Sequence, residues 1–200
     1  MGSIVVIEAP TLGEGWLAVS RAILEDGAPA TYDGQVTREL ALLTLHVARP
    51  ASDDELIARL GDPDWLAWMH ANFFDPRGSG RDQLAWVVDR LRADPECRSA
   101  TITTFEPLSD TAYIPCVSML DFWAPSGRVE LVVYAHSLDF GKKAYGNLVE
   151  LARLQELVAG GLELSVGSLT MYVKSAHVYE QEWALMAGLV EQVRPALRPA

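Results

Sequence analysis

Five side chains in the second half of the sequence are of types that carry chemistry, and they follow one another as Cys116, Asp139, Asn147, His177 and Tyr179. A thiolate is a strong nucleophile, but a free cysteine is only slightly ionised at neutral pH, so Cys116 needs a nearby cation or polarising group to act. Without one it is an ordinary buried cysteine at a strand start, the commoner fate of a lone thiol. Asp139 and Asn147 stand eight residues apart. The amide of Asn147 offers an acceptor and two donors, although its place after Gly146 and before a helical run also fits a helix N-cap. An aspartate after a strand is more often a turn or solvent-facing residue. His177 and Tyr179 are two apart, so on an extended strand they share one face and can reach the same group of a ligand; around Val178 they also fit a core edge.

Strands and helices must bring these residues together. Trp16, Leu17, Val19, Ile23 and Leu24 recur at helical spacing over residues 13–26, and Gly27 with Pro29 ends the pattern. Residues 38–47 read as a strand rich in Leu, Thr and Val. Ser52 is a candidate cap for a short acidic helix through Leu60, and Pro63, Trp65 and Trp68 open another helical stretch. Segment 75–80 is the clearest loop, and residues 83–91 are helical until Asp94-Pro95. Strands are expected over 100–105, 117–123 and 129–136, the last two joined by a Pro125-Ser126-Gly127 turn. A helix over 147–159 ended by Gly160-Gly161, strand structure within 162–178 and a helix over 182–193 complete the chain. The pattern is α+β, with strands grouped late and helices around them.

Two hundred residues, half of them hydrophobic, suffice for one substantial core, so a single domain over residues 1–200 is expected. The net charge of −11 opposes a long contact with a nucleic acid polymer, which requires a basic stripe that releases counterions. The apolar run at residues 3–9 is far too short to span a bilayer, so no membrane association is expected. With only Cys97 and Cys116 present and no leader-like N-terminus, a soluble, reducing, cytoplasmic setting fits.

Over residues 82–183 the chain resembles the thymidylate synthase family, which includes the pyrimidine hydroxymethylases. The resemblance rests on Asp82-Gln83-Leu84, Pro95-x-x-Arg98, Pro115-Cys116, Ser137-x-Asp139 and His177-x-Tyr179, in order and spacing. Val117 and Asp121 make it closer to the short archaeal-type members than to the bacterial ones. It implies a mixed sheet flanked by helices, a homodimer, and one-carbon transfer from 5,10-methylenetetrahydrofolate to C5 of a uracil nucleotide, with no metal. Cys116 matches the nucleophile that adds to C6. Arg98 matches an arginine suited to activating that thiol, which in the family crosses a dimer interface to the phosphate. Asn147 matches the residue that pairs with N3–H and O4 of uracil, where members acting on cytosine carry Asp. Asp139 matches the carboxylate that binds the pterin, and His177 and Tyr179 match the sugar-binding pair. Glu39 is a candidate for the proton-transfer glutamate, against a solvated strand-end ion pair, and Trp68 for the folate-packing tryptophan, against a place in the core beside Trp65.

The phosphate side departs from the family pattern. Ser99 follows Arg98 where two consecutive arginines are usual, and His136 precedes Ser137 where an arginine is usual. Each charged hydrogen bond to a phosphate is worth roughly 1.5–3 kcal/mol, so two uncompensated losses weaken nucleotide binding by orders of magnitude. Either Arg38 compensates or the substrate lacks a 5′-monophosphate. The chain also ends about twenty residues after Tyr179, without the tail that closes the folate site in typical synthases. An open site admits water to the C5 methylene, which makes a pyrimidine 5-hydroxymethylase the alternative activity. A nucleotide-binding paralogue with a decayed phosphate site is the non-catalytic alternative.

Overall fold

The computed structural model describes residues 4–73, 82–105 and 114–193; the expected loop at 75–80 and Tyr113 lie outside them. Strand β1 (Val5–Ala9) leads into helix α1 (Leu12–Asp26), and β2 (Ala28–Tyr32) turns back into β3 (Gln35–Val47). Three helices follow, α2 (Glu55–Leu60), α3 (Pro63–Asn72) and α4 (Gln83–Ala93). Next come β4 (Ala100–Thr103), β5 (Val117–Trp123), β6 (Arg128–Ala135) and the two-residue β7 (Leu138–Asp139). Helix α5 (Ala144–Leu162) crosses to β8 (Ser165–Tyr179), and α6 (Trp183–Val193) follows a single 3-10 turn.

The strands form one mixed sheet in the order β1-β3-β8-β6-β5-β4, with β2 added to β3 and β7 to β8. β8 is parallel to β6 and β7 and antiparallel to β3. The architecture is the expected α+β arrangement of a mixed sheet flanked by helices. Leu43, Leu45, Leu169, Met171, Leu131 and Val133 point to one side and are buried in the core, to which α1, α4 and α5 contribute Trp16, Val87 and Leu148. Period-two alternation sends Tyr134 and Tyr172 to the other side, where their rings stack at 5.9 Å. Val132, Trp123 and Met119 are exposed there.

The alternation breaks at one rung. Leu40 and Leu43 are both buried although three apart, as are Val173 and Ala176 on the neighbouring strand, and Leu42 takes a left-handed conformation with φ of 58°. Beyond this break Ala176 and Val178 face the core, and His177 and Tyr179 turn to the opposite side.

Several expected boundaries differ. Asp54, not Ser52, caps α2, accepting from the backbone N–H groups of Leu56 and Ile57, while Ser52 donates its N–H and hydroxyl to Glu156. Helix α5 begins before Asn147, so Asn147 is not its N-cap, and it runs through Gly160 and Gly161 to end at Glu163 with φ of 57°. The early strands were not legible as such: β1 and β2 are short edge elements. The β2–β3 turn carries Asp33 and Gly34 with φ of 48° and 73°, the geometry a two-residue hairpin requires.

One buried contact fixes the turn after β7. The Trp16 indole N–H donates to the Phe140 carbonyl at 2.8 Å, with the Ser20 hydroxyl 3.4 Å from the same oxygen, and the Trp16 ring lies 4.8 Å from that of Tyr145. Trp16→Phe keeps an aromatic ring and removes the donor, so unfolding in urea is expected at a lower midpoint with unchanged slope, for a loss of about 1–3 kcal/mol. The Trp16→Phe, Ser20→Ala double variant is expected to lose more than either single one. An unshifted midpoint in both would show that the carbonyl needs neither donor.

Candidate functional site

The chain turns immediately after β7, and the Asp139 carboxylate closes the turn by accepting from the backbone N–H groups of Gly141 at 2.9 Å and Lys142 at 3.2 Å. The Lys143 N–H reaches the Asp139 carbonyl, and the Phe140 N–H reaches the His177 carbonyl at 2.8 Å, which ties the turn to β8. No side chain can be added at Gly141 without displacing Glu182, since a Cβ there would lie 2.9 Å from the Glu182 Cβ. Helix α5 therefore starts in register with the end of β8, with Asn147 in its first turn and its amide donating to the Lys143 carbonyl at 2.7 Å.

Cys116 sits just before β5, its carbonyl accepting from the His136 N–H. His136 Nδ1 is 2.9 Å from the Ser118 hydroxyl. Two cavities open on either side of Cys116. One, of about 690 Å³, is polar and lined by His136, Ser137, Asp139, His177 and Tyr179, by Lys142 and Lys143, and by Tyr32, Asp33 and Gln35 of the β2–β3 hairpin. The other, of about 620 Å³, is largely apolar and lined by Trp65, Trp68, Met69 and Phe73 with Asn147 and Val117. Cys116 and Lys143 line both.

Burial sets the electrostatics. It pushes the Cys116 thiol up from its ordinary value; the Lys143 ammonium opposes this and the Asp139 carboxylate reinforces it. Burial also raises the Asp139 carboxyl and lowers the His177 imidazole, and these two neighbours partly offset each other's shift. His136 is lowered by burial and then by the Lys174 charge, so it is neutral at neutral pH. Tyr179 is raised, first by burial and then by Asp139. Among the described residues no group of three His, Cys, Asp or Glu side chains is disposed to hold a metal ion.

Eight of the eleven residues singled out from the sequence, Cys116, His136, Ser137, Asp139, Asn147, His177, Tyr179 and Trp68, line these two cavities. Trp68 is not in the core: it is 52% exposed and stacks on Trp65 at 4.9 Å. Glu39 stands one layer back, opposite His177 in the β3–β8 register, and accepts from the Ser175 hydroxyl at 2.8 Å. Arg38 is directed away. Adjacent positions on a strand face opposite sides, and its guanidinium lies over the Trp183 ring and donates to the Leu24 carbonyl. It lines neither cavity. Arg98 is exposed on the approach to the outer strand β4 and lines neither cavity. Sequence reasoning missed Lys142, Lys143 and the hairpin residues. The Asp33-Gly34 pair signals such a hairpin, and the two lysines lie between the motif residues Asp139 and Asn147.

Comparison with known proteins agrees with this geometry. The family model described as "Thymidylate synthase" matches residues 51–198. The chain is 35% identical over 114 residues to a protein of Methanosarcina acetivorans named "Putative thymidylate synthase", covering 56% of this chain and 52% of that one. A protein of the same name from Methanothermobacter thermautotrophicus is 29% identical over 206 residues, covering 87% of this chain and 93% of that one. The bifunctional dihydrofolate reductase-thymidylate synthase of Zea mays is 27% identical over 185 residues, 88% of this chain and 34% of that one. The chain spans about half the length of the first of these relatives. The archaeal names accord with Val117 and Asp121, and a match over well more than half of its residues means that the chain belongs to the thymidylate synthase family.

Proposed function

We propose that the protein transfers a one-carbon unit from 5,10-methylenetetrahydrofolate to C5 of a uracil nucleotide, with Cys116 adding to C6. The observation that carries this reading is the position of Cys116 at the junction of a polar and an aromatic cavity. A pyrimidine laid across the junction has its C4 edge toward Asn147 and its sugar toward His177 and Tyr179. Addition of the thiolate to C6 makes C5 nucleophilic toward the methylene carbon. The Asn147 amide spends one N–H on the Lys143 carbonyl, which leaves its oxygen for N3–H and its second N–H for O4. Asp139 and the exposed indole of Trp68 are the groups we assign to the folate, the carboxylate to the pterin and the ring to stacking. Glu39, behind His177, fits a role in proton transfer through intervening water.

The phosphate is the weaker end of this site. His136 brings no charge at neutral pH, and Arg98 lies outside the cavities. In a homodimer, Arg98 would serve the partner's nucleotide, and the uncovered face bearing Val132, Trp123 and the stacked tyrosines supplies an apolar surface for such pairing. Sedimentation should then give a dimer at micromolar concentration; a monomer that retains activity would remove Arg98 from the site.

Two further outcomes test the chemistry. Incubation with 5-fluoro-dUMP and methylenetetrahydrofolate is expected to yield a covalent adduct on the wild-type chain by mass spectrometry and none on Cys116→Ser. Equal behaviour of the two would leave only a nucleotide-binding role. With dUMP, a 5-methyl product identifies a synthase and a 5-hydroxymethyl product a hydroxymethylase. Asn147→Asp is expected to shift the kcat/KM ratio of dUMP to dCMP toward cytosine by about a hundredfold or more, because a buried mispaired edge is strongly rejected.

A further inference from the structure

Ionisation of Cys116 is unfavourable in this site as it stands. The thiol is half-buried, the arginine matched to its activation lies outside both cavities, and His136, which directly follows β6, is neutral. Nucleophilic addition still requires the thiolate. The charged and titratable groups around Cys116 can be taken element by element. β2 contributes Tyr32, β7 contributes Asp139, β8 contributes His177 and Tyr179, the end of β6 contributes His136, the hairpin tip contributes Asp33, and the turn into α5 contributes Lys142 and Lys143. Glu182, in the 3-10 turn before α6, lines the same cavity. On the aromatic side, α3 contributes Trp65, Trp68, Met69 and Asn72, none of which titrates near neutrality. Among the described residues Lys143 is the one cation that borders both cavities, as Cys116 does.

We propose that Lys143 is the positioning cation of this site, lowering the cost of forming the Cys116 thiolate that addition to an electron-poor double bond requires. The inference rests on the reading of Cys116 as nucleophile and adds to it the source of the activating charge. The ammonium needs no contact with substrate. Opposite charge near a thiolate stabilises it whatever is bound, and the released proton goes to solvent. The backbone makes this position stable: the Lys143 N–H is held by the Asp139 carbonyl, its own carbonyl accepts from the Asn147 amide, and the turn is pinned to β8. The field at Cys116 agrees in sign, with Lys143 the main influence against burial and Asp139 opposing it.

The test reads the thiol directly and requires neither substrate nor folate. In a Cys97→Ser background, which leaves Cys116 as the only thiol, the rate of alkylation by iodoacetamide is followed from pH 6 to 10. Lys143→Met is expected to move the midpoint of the rate profile upward and to slow alkylation at pH 7.5 by about three- to tenfold, an ion-pair effect reduced by the exposure of the lysine. Lys143→Arg is expected to restore the parent profile, and added salt should slow the parent and leave Lys143→Met unchanged. A Lys143→Met profile that overlays the parent, or an arginine variant that behaves like the methionine one, overturns the proposal. If the profile shifts as expected but 5-fluoro-dUMP is not trapped, the transferase reading fails and the activating role of Lys143 stands.

Discussion

The carbonyl oxygen of Phe140 is buried deep in the protein and points away from the cavities, yet their shape depends on it. A buried carbonyl without a donor costs as much as a lost hydrogen bond, so the turn after β7 is favoured where the Trp16 indole, with the Ser20 hydroxyl beside it, can reach it. Trp16 belongs to α1, which packs on the covered face of the sheet. The first helix of the chain thus determines where the Asp139–Lys143 turn lies, although it contributes no residue to either cavity. From that turn follow the start of α5, the placement of Asn147 and the position of both lysines beside Cys116.

Charge explains much of what distinguishes this site. Asp139 satisfies two backbone N–H groups with its carboxylate, so part of its hydrogen-bonding capacity is committed before any ligand arrives. Glu39 is engaged by Ser175 and Arg38 by Leu24 and Trp183. The lysines of the turn are the cations left facing the cavities among the described residues. The positive charge lining the cavities is carried by flexible ammonium groups, which act as point charges and lack the planar geometry of a guanidinium.

How much of this was legible in the sequence follows from the distance over which each signal acts. Helix α1 and strands β5 and β6 could be read because their apolar spacing is local. The motif residues could be read because their order carries a resemblance, and eight of them do line the two cavities. Arg38 could not be placed, because its direction depends on which face of β3 is buried, and a one-residue change of parity at Leu42 decides that. The cap of α2 was misplaced by two residues because Ser52 and Asp54 are both good caps in isolation; the position of Glu156, far along the chain, draws Ser52 away. Lys143 carried no local signal, and its importance arises only from the fold that brings it to Cys116.

The two walls of the site differ in how freely they can move. His177 and Tyr179 belong to a fifteen-residue strand paired on both sides and rooted in the core by Leu169, Met171 and Val173. Displacing them requires disrupting the centre of the sheet, so that wall is as stable as the protein itself. Trp65 and Trp68 ride on α3, a ten-residue helix in which only Met69 is buried. Segments with few buried contacts open at a small fraction of the global unfolding free energy. The aromatic wall is therefore the one that can open locally, while the wall carrying His177 and Tyr179 keeps its register.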